Sequence, residues 1–135
     1  MKIYELTSGL WFPNPYHAPE NMPMAIGGDL SPERLIKAYQ MGIFPWFNEE
    51  DPILWWSPNP RAIIKLCDLR INRTLRKALR RSPFKITLNT AFEEVIAQCA
   101  DAPFRDDGIW ILPEMQVAYK QLHKLGHAHV HLSSP

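Results

Sequence analysis

The chain has 135 residues, 46% of them apolar, and a net charge of +1. That length suits one domain, or one small domain and part of another, and a near-neutral balance excludes nucleic-acid affinity by bulk charge alone, so only local clusters of charge can recruit a polyanion. Thirteen prolines, many beside aromatic residues and none in a low-complexity tract, predict rigid irregular segments rather than disorder.

Lys2 to Leu6 alternates weakly and predicts a short edge strand. Phe12-Pro13-Asn14-Pro15 is a stiff turn, and His17 to Met24 is loop. Gly27-Gly28 before Asp29 can form a tight turn or cradle a phosphate; without a strand–helix pattern around the glycines, the turn is the better reading. Ser31 then caps a helix, with Pro32 at its first position, Glu33 in its first turn and Leu30 and Leu35 spaced as a hydrophobic staple. Gly42 ends it. Two apolar runs come next, Ile43 to Phe47 and Ile53 to Trp56, separated by Asn48-Glu49-Glu50-Asp51-Pro52. Pro45 keeps the first run out of a central strand, and Pro58 and Pro60 force an extended exit into Arg61. Trp55 and Trp56 read first as core, whereas Trp46, pinned behind a proline, is as well suited to stacking on a base or an apolar side chain as to core packing.

Ala62 to Leu66 predicts a strand, and Asn72 caps a helix that begins at Arg73. On that helix Leu75, Ala78 and Leu79 share one face. Arg73, Arg76, Lys77, Arg80 and Arg81 share the other, within about 140° at 3.6 residues per turn. Five like charges repel each other, and a solvated face ordinarily mixes signs. A bound phosphate backbone accounts for them better, since arginine pairs with phosphate through two parallel hydrogen bonds.

Phe84 to Leu88 alternates as a strand. Thr90 and Glu93 are spaced as a capping box for a helix that turns Phe92, Val95, Ile96 and Cys99 inward. A loop, Ala100 to Gly108, precedes the short segment Ile109-Trp110-Ile111. Pro113 opens a last helix with Met115, Ala118, Tyr119, Leu122 and Leu125 inward, closed by Gly126. In the terminal HAHVHL, His127, His129 and His131 would share one strand face about 7 Å apart, a spacing open to zinc, although no acidic residue lies close enough in sequence to orient the imidazoles. Cys67 and Cys99 have neither metal nor redox spacing and read as buried, reduced thiols of a cytoplasmic protein. The N-terminus lacks a signal-peptide core, and no segment has the length of a membrane span.

The stretch AIGGDLSPERLIKAYQMGIFPWF, followed by DPILWWSPNPR, resembles leucyl/phenylalanyl-tRNA–protein transferases, and the resemblance runs from about Phe12 to His129. Such enzymes move Leu, Phe or Met from an aminoacyl-tRNA to the N-terminal Arg or Lys of a protein, which marks it for degradation, and they need no cofactor or metal. The resemblance implies an α+β fold: a small N-terminal domain, residues 1–61, then the first half of an acetyltransferase-like domain, residues 62–135. It implies that Trp46 and Trp110 contact the terminal adenosine with Tyr39 beside them. It further implies that the basic helix contacts the acceptor stem, with Arg73, Lys77, Arg80 and Arg81 matching the family's basic positions; Arg76 joins them as a tRNA-binding candidate by sharing their face. The family carries threonine where this chain has Ile109, and Val130-His131-Leu132 departs from its pattern, so the tail reads as truncated or frame-shifted. The amino-acid pocket and the catalytic groups are expected beyond His129, which leaves a non-catalytic RNA-binding module as the alternative.

Overall fold

Trp55 is the residue on which the N-terminal sheet closes. Its side chain is fully buried, its indole N–H donates to the Gly27 carbonyl at 2.9 Å, and Phe12 meets it edge-on with centroids 4.9 Å apart. The computed structural model describes residues 3–101 and 111–134. Within it, β1 (Tyr4–Leu6), β2 (Ala25–Gly27), β3 (Phe44–Pro45) and β4 (Leu54–Trp56) form a mixed sheet in the order β1-β2-β4-β3. β1 and β2 run parallel; β4 is antiparallel to both its neighbours. β3, which contains Pro45, is an edge strand, as the missing N–H requires.

Helix α1 (Pro32–Gln40) packs on this sheet. Ser31 caps it, its hydroxyl accepting from the Arg34 amide at 3.4 Å, and the Asp29 carboxylate accepts from the Ser31 amide at 2.9 Å. Leu35 and Ala38 enter the core with Ile43 and Met24. Each large apolar side chain among them contributes about 1.5–3 kcal/mol by leaving water. Gly42, at φ 72°, reverses the chain after α1 so that the Ile43 amide returns to the Ala38 carbonyl at 2.9 Å. Gly27 is the last residue of β2 and Gly28 follows it without a turn, both at positive φ, their amides spent on the Ile53 and Leu6 carbonyls and not free for a phosphate.

The remaining elements are α2 (Arg73–Arg81), β5 (Lys85–Leu88), α3 (Phe92–Ala100), α4 (Pro113–Lys124) and β6 (His131–Ser134). β5 and β6 pair antiparallel, with Leu88 opposite His131. α3 and α4 enclose a second cluster around Met115, Phe92, Ile96 and Phe47, and Phe92 stacks on His123 at 4.1 Å. Ala118 and Leu122 on α4 also join the first core, so α4 ties the N-terminal sheet to the second cluster. The described residues thus form an α+β fold with four α-helices and a mixed sheet.

Several expectations are corrected. Ala62 to Leu66 is not a strand: it is exposed chain that runs into a single turn at Leu66–Asp68, because no described strand lies beside it to accept its ladder. Cys67 and Cys99 are exposed, not buried. α2 buries nothing; Leu75 and Leu79 face solvent with the basic residues. Thr90 does not cap α3, whose cap position is Ala91; its hydroxyl bonds instead to that of Thr87 at 2.9 Å. Leu125 at the end of the last helix is exposed, since it lies beyond the final turn that packs. Trp110 and Ile109, and most of the loop from Ala100 to Gly108, lie outside the described residues.

Candidate functional site

The chain between α1 and β4 builds an open cavity of about 560 Å³, lined by Tyr39, Gly42, Ile43, Phe44, Pro45, Trp46 and Arg61. Each wall has a local chemical cause. The last turn of α1 presents Tyr39. The left-handed Gly42 turns the backbone sharply enough to bring the next strand alongside. Buried Pro45 then stiffens the chain just before Trp46, whose amide extends the ladder to the Leu54 carbonyl at 3.0 Å. Two of the predicted aromatic residues, Tyr39 and Trp46, are thereby brought to one cavity, and both are half exposed, at 50% and 49%.

Trp46 is not loose. Trp56 donates its indole N–H to the Trp46 carbonyl at 2.7 Å, and the two rings lie 5.6 Å apart, tilted by 52°. The expectation that Trp55 and Trp56 both serve the core holds for Trp55 alone, which is fully buried; Trp56 braces the exposed tryptophan instead. Tyr39 is held on its other side by Tyr119 of α4: their hydroxyls share a hydrogen bond, and the rings meet edge-to-face at 6.3 Å. Burial is the main reason that both phenols lose their protons less readily than an ordinary tyrosine; for Tyr39 the hydrogen bond from Tyr119 works in the opposite sense. Tyr39 also lines a second cavity of about 340 Å³, shared with Tyr119, Phe92, Ile96, Leu122 and the imidazole-bearing His127 and His129.

Among the described residues Arg61 is the one charged group on the first cavity's lining. Its guanidinium lies 5.6 Å from the Phe44 ring centroid and forms no hydrogen bond or ion pair with any described residue. In the sequence Arg61 marks only the end of the first module; the signal that could have singled it out is a lone arginine after a proline-locked aromatic run. Among the described residues the lining carries no carboxylate or imidazole; with its aromatic walls and one guanidinium it can hold an aromatic or apolar group and an anion.

The basic helix is a separate feature. Asn72 caps it through the Leu75 amide at 2.8 Å. Arg73, Arg76, Lys77, Arg80 and Arg81 are all exposed and line one shallow hollow of about 340 Å³. None of them is in an ion pair among the described residues. The three C-terminal histidines do not share a face. His127 lies in the turn after α4, His129 accepts from the Asn89 side chain at 2.8 Å, and only His131 is in a strand. Among the described residues no three His, Cys, Asp or Glu side chains stand together as a metal site.

Residues 28–59 match the family model described as leucyl/phenylalanyl-tRNA protein transferase N-terminal domain, and residues 63–132 match the one described as leucyl/phenylalanyl-tRNA protein transferase. A leucyl/phenylalanyl-tRNA–protein transferase of Colwellia psychrerythraea is 65% identical over 106 residues, covering 78% of this chain and 44% of that protein. Those of Syntrophotalea carbinolica and Desulfatibacillum aliphaticivorans are 52% and 50% identical, each covering 96% of this chain and 56% of its own length. The chain spans about half the length of the curated relatives it matches.

Proposed function

The chain belongs to the leucyl/phenylalanyl-tRNA protein transferase family, and on that premise we propose that it docks the 3′ end of an aminoacyl-tRNA for transfer of Leu, Phe or Met to the N-terminal Arg or Lys of a protein. In this reading Trp46 and Tyr39, with Trp110, hold the terminal adenosine. Arg73, Arg76, Lys77, Arg80 and Arg81 attract the acceptor stem. Residues 1–61 are a small N-terminal domain, and residues 62–135 are the first part of an acetyltransferase-like domain. The carrying observation is the pairing of two braced, half-exposed aromatic side chains on one open cavity. A base stacked on such a face is held by about 1–3 kcal/mol.

The reaction asks little of the ester, which is already activated. The incoming α-amine attacks the ester carbonyl, an oxyanion develops, and the 3′-oxygen of the terminal adenosine leaves as the new amide forms. Fixing the adenosine fixes that carbonyl, and positioning of this kind accounts for much of the rate in such reactions. The amine's proton and the oxyanion still need partners. What the described lining of the first cavity offers is an aromatic seat and one guanidinium, groups suited to docking the ester's adenosine. The reaction uses no cofactor. Acting on charged tRNA, the protein works in the cytoplasm; among the described residues no helix is long and apolar enough to cross a membrane.

The test is transfer itself. The chain is incubated with Phe-tRNA and a peptide that begins with Arg, and the peptide is weighed. Binding to Phe-tRNA without a mass gain supports a docking unit. Gain of one phenylalanyl group would place the catalytic residues within this chain. A Trp46→Ala variant that binds Phe-tRNA as well as the parent would sink the adenosine reading.

A further inference from the structure

We propose that Arg61 clamps the phosphodiester between the last two nucleotides of a docked RNA 3′ end, and that the cavity behind Arg61 receives the penultimate nucleotide. This rests on the reading of the Tyr39–Trp46 cavity as the seat of the terminal adenosine.

Two cavities meet at Arg61. The aromatic one ends on Gly42 and Arg61. A second, of about 620 Å³, begins on the same two residues and continues along Tyr16, Met41, Ser57 and Asn59. A strand of RNA that placed its last base against Trp46 and ran on past Gly42 would carry its first internal phosphate to the seam. The residue at that seam is a guanidinium, exposed and without any hydrogen bond or ion pair among the described residues. Its planar fork suits a phosphate, and its stem is held by the Phe44 ring rather than by a carboxylate that the ligand would first have to displace. Gly42 leaves the approach open: a Cβ there would point toward Arg61, 3.5 Å from its Nη1.

The chemistry of the two cavities changes across Arg61. Before it the lining is aromatic and aliphatic; beyond it come Ser57 and Asn59, with polar side chains. The Ser57 hydroxyl donates to the Gly42 carbonyl at 3.2 Å, which fixes the backbone at the seam. Tyr16, at 87% exposure, offers a ring face on the outer wall of the second cavity. A stacking face, a phosphate partner and a second stacking face, in that order, form a track for two nucleotides of a single strand.

The experiment compares two ligands. One is the 3′-amide of phenylalanyl-adenosine, which has no phosphate. The other is the same molecule with a cytidine attached through a 3′,5′-phosphodiester. The parent chain is expected to bind the dinucleotide about tenfold more tightly than the nucleoside, the scale of one charge-assisted hydrogen-bond set. In Arg61→Gln that ratio is expected to fall to near one, and the salt slope for the dinucleotide to drop by about 0.7. Arg61→Lys should restore part of the ratio. Trp46→Ala should weaken both ligands and leave the ratio intact. A parent ratio near one, or a ratio unchanged by Arg61→Gln, overturns the clamp while the adenosine seat stands. A nucleoside affinity untouched by Trp46→Ala overturns the seat itself, and the clamp with it.

Discussion

Trp56 holds Trp46 by the backbone: its indole N–H reaches the Trp46 carbonyl at 2.7 Å, and its ring lies 5.6 Å from the ring it supports. One tryptophan thus serves to orient another. An exposed aromatic face that is already fixed loses little freedom when a ligand lands on it. Trp56→Phe keeps a ring but removes the donor. The expected result is a several-fold loss of affinity for phenylalanyl-adenosine amide, on the scale of about 0.5–1.5 kcal/mol for one hydrogen bond, with the melting temperature little changed. Calorimetric titration of the two proteins checks it. Equal affinity would mean that the strand, not Trp56, sets the angle of Trp46.

The basic face of α2 makes a separate prediction. Arg76 and Arg80 are exposed, and α2 buries no residue, so charge reversal there has little packing to disturb. Arg76→Glu with Arg80→Glu should weaken tRNA binding and lower the slope of log affinity against log salt by about 0.9 for each duplex phosphate that is no longer neutralised. The fold should be unharmed, because the change relieves repulsion among like charges one turn apart. Affinity for the single nucleoside should stay as it is, since that ligand does not reach a duplex-binding face. Filter binding at several salt concentrations, with circular dichroism as the folding control, decides between a phosphate-binding face and a merely solvated one.

Much of this architecture is legible in the sequence wherever a local rule is enough. Ser31-Pro32 and Asn72 start helices, Gly42 and Gly126 stop them, and Pro45 marks an edge strand, because each acts through its own backbone geometry. The expectations that fail depend on neighbours. Ala62 to Leu66 has the composition of a strand but no described strand beside it. Leu75 and Leu79 have helical periodicity, yet they are exposed, because an apolar stripe becomes buried only if something covers it. The aromatic seat is readable as Tyr39 and Trp46. Trp56 as brace and Arg61 as seam are not, since both depend on partners ten or more positions away in sequence.

Arg34 stands in the first turn of α1 and is almost wholly buried, which nothing in its local sequence announces. Its Nη2 donates to the Thr7 and Gly9 carbonyls at 2.9 and 3.1 Å, and Nε lies 3.3 Å from the Asp29 carboxylate. The hydrogen bond from Ser31, with help from Arg34, holds the Asp29 carboxyl below its usual range. Arg34 therefore fastens the N-terminal segment to α1. Arg34→Met fills the space but strands two carbonyls, at a cost of about 1–3 kcal/mol each where water cannot reach them. Gly28→Ala attacks the same joint from outside. At φ 75° a side chain is strained, and its Cβ would stand 3.1 Å from the Arg34 Nε. That change should cost more than about 1 kcal/mol. Urea unfolding of the three proteins is the measurement, and a midpoint unmoved by either substitution would show that the joint is dispensable.

The Tyr39–Tyr119 pair ties stability to alkaline pH. Both phenols are raised above their ordinary value, chiefly by burial, and Tyr119 is raised further by the presence of Tyr39. When a folded group holds its proton more tightly than the unfolded one, its contribution is complete below the unfolded pKa. It is lost as pH rises through the folded value, because only the unfolded chain releases the proton early. Stability should therefore be level up to about pH 10 and fall above it. In Tyr119→Phe the hydrogen bond to Tyr39 is gone, so the protein should be less stable at neutral pH by about 0.5–1.5 kcal/mol. Its decline above about pH 10 should also be shallower, with one fewer buried phenol to ionise. Thermal melts from about pH 8 to about pH 11 separate the two effects. Parallel curves for parent and variant would mean that Tyr119 ionises freely in the fold, and that the wall behind Tyr39 is open to water.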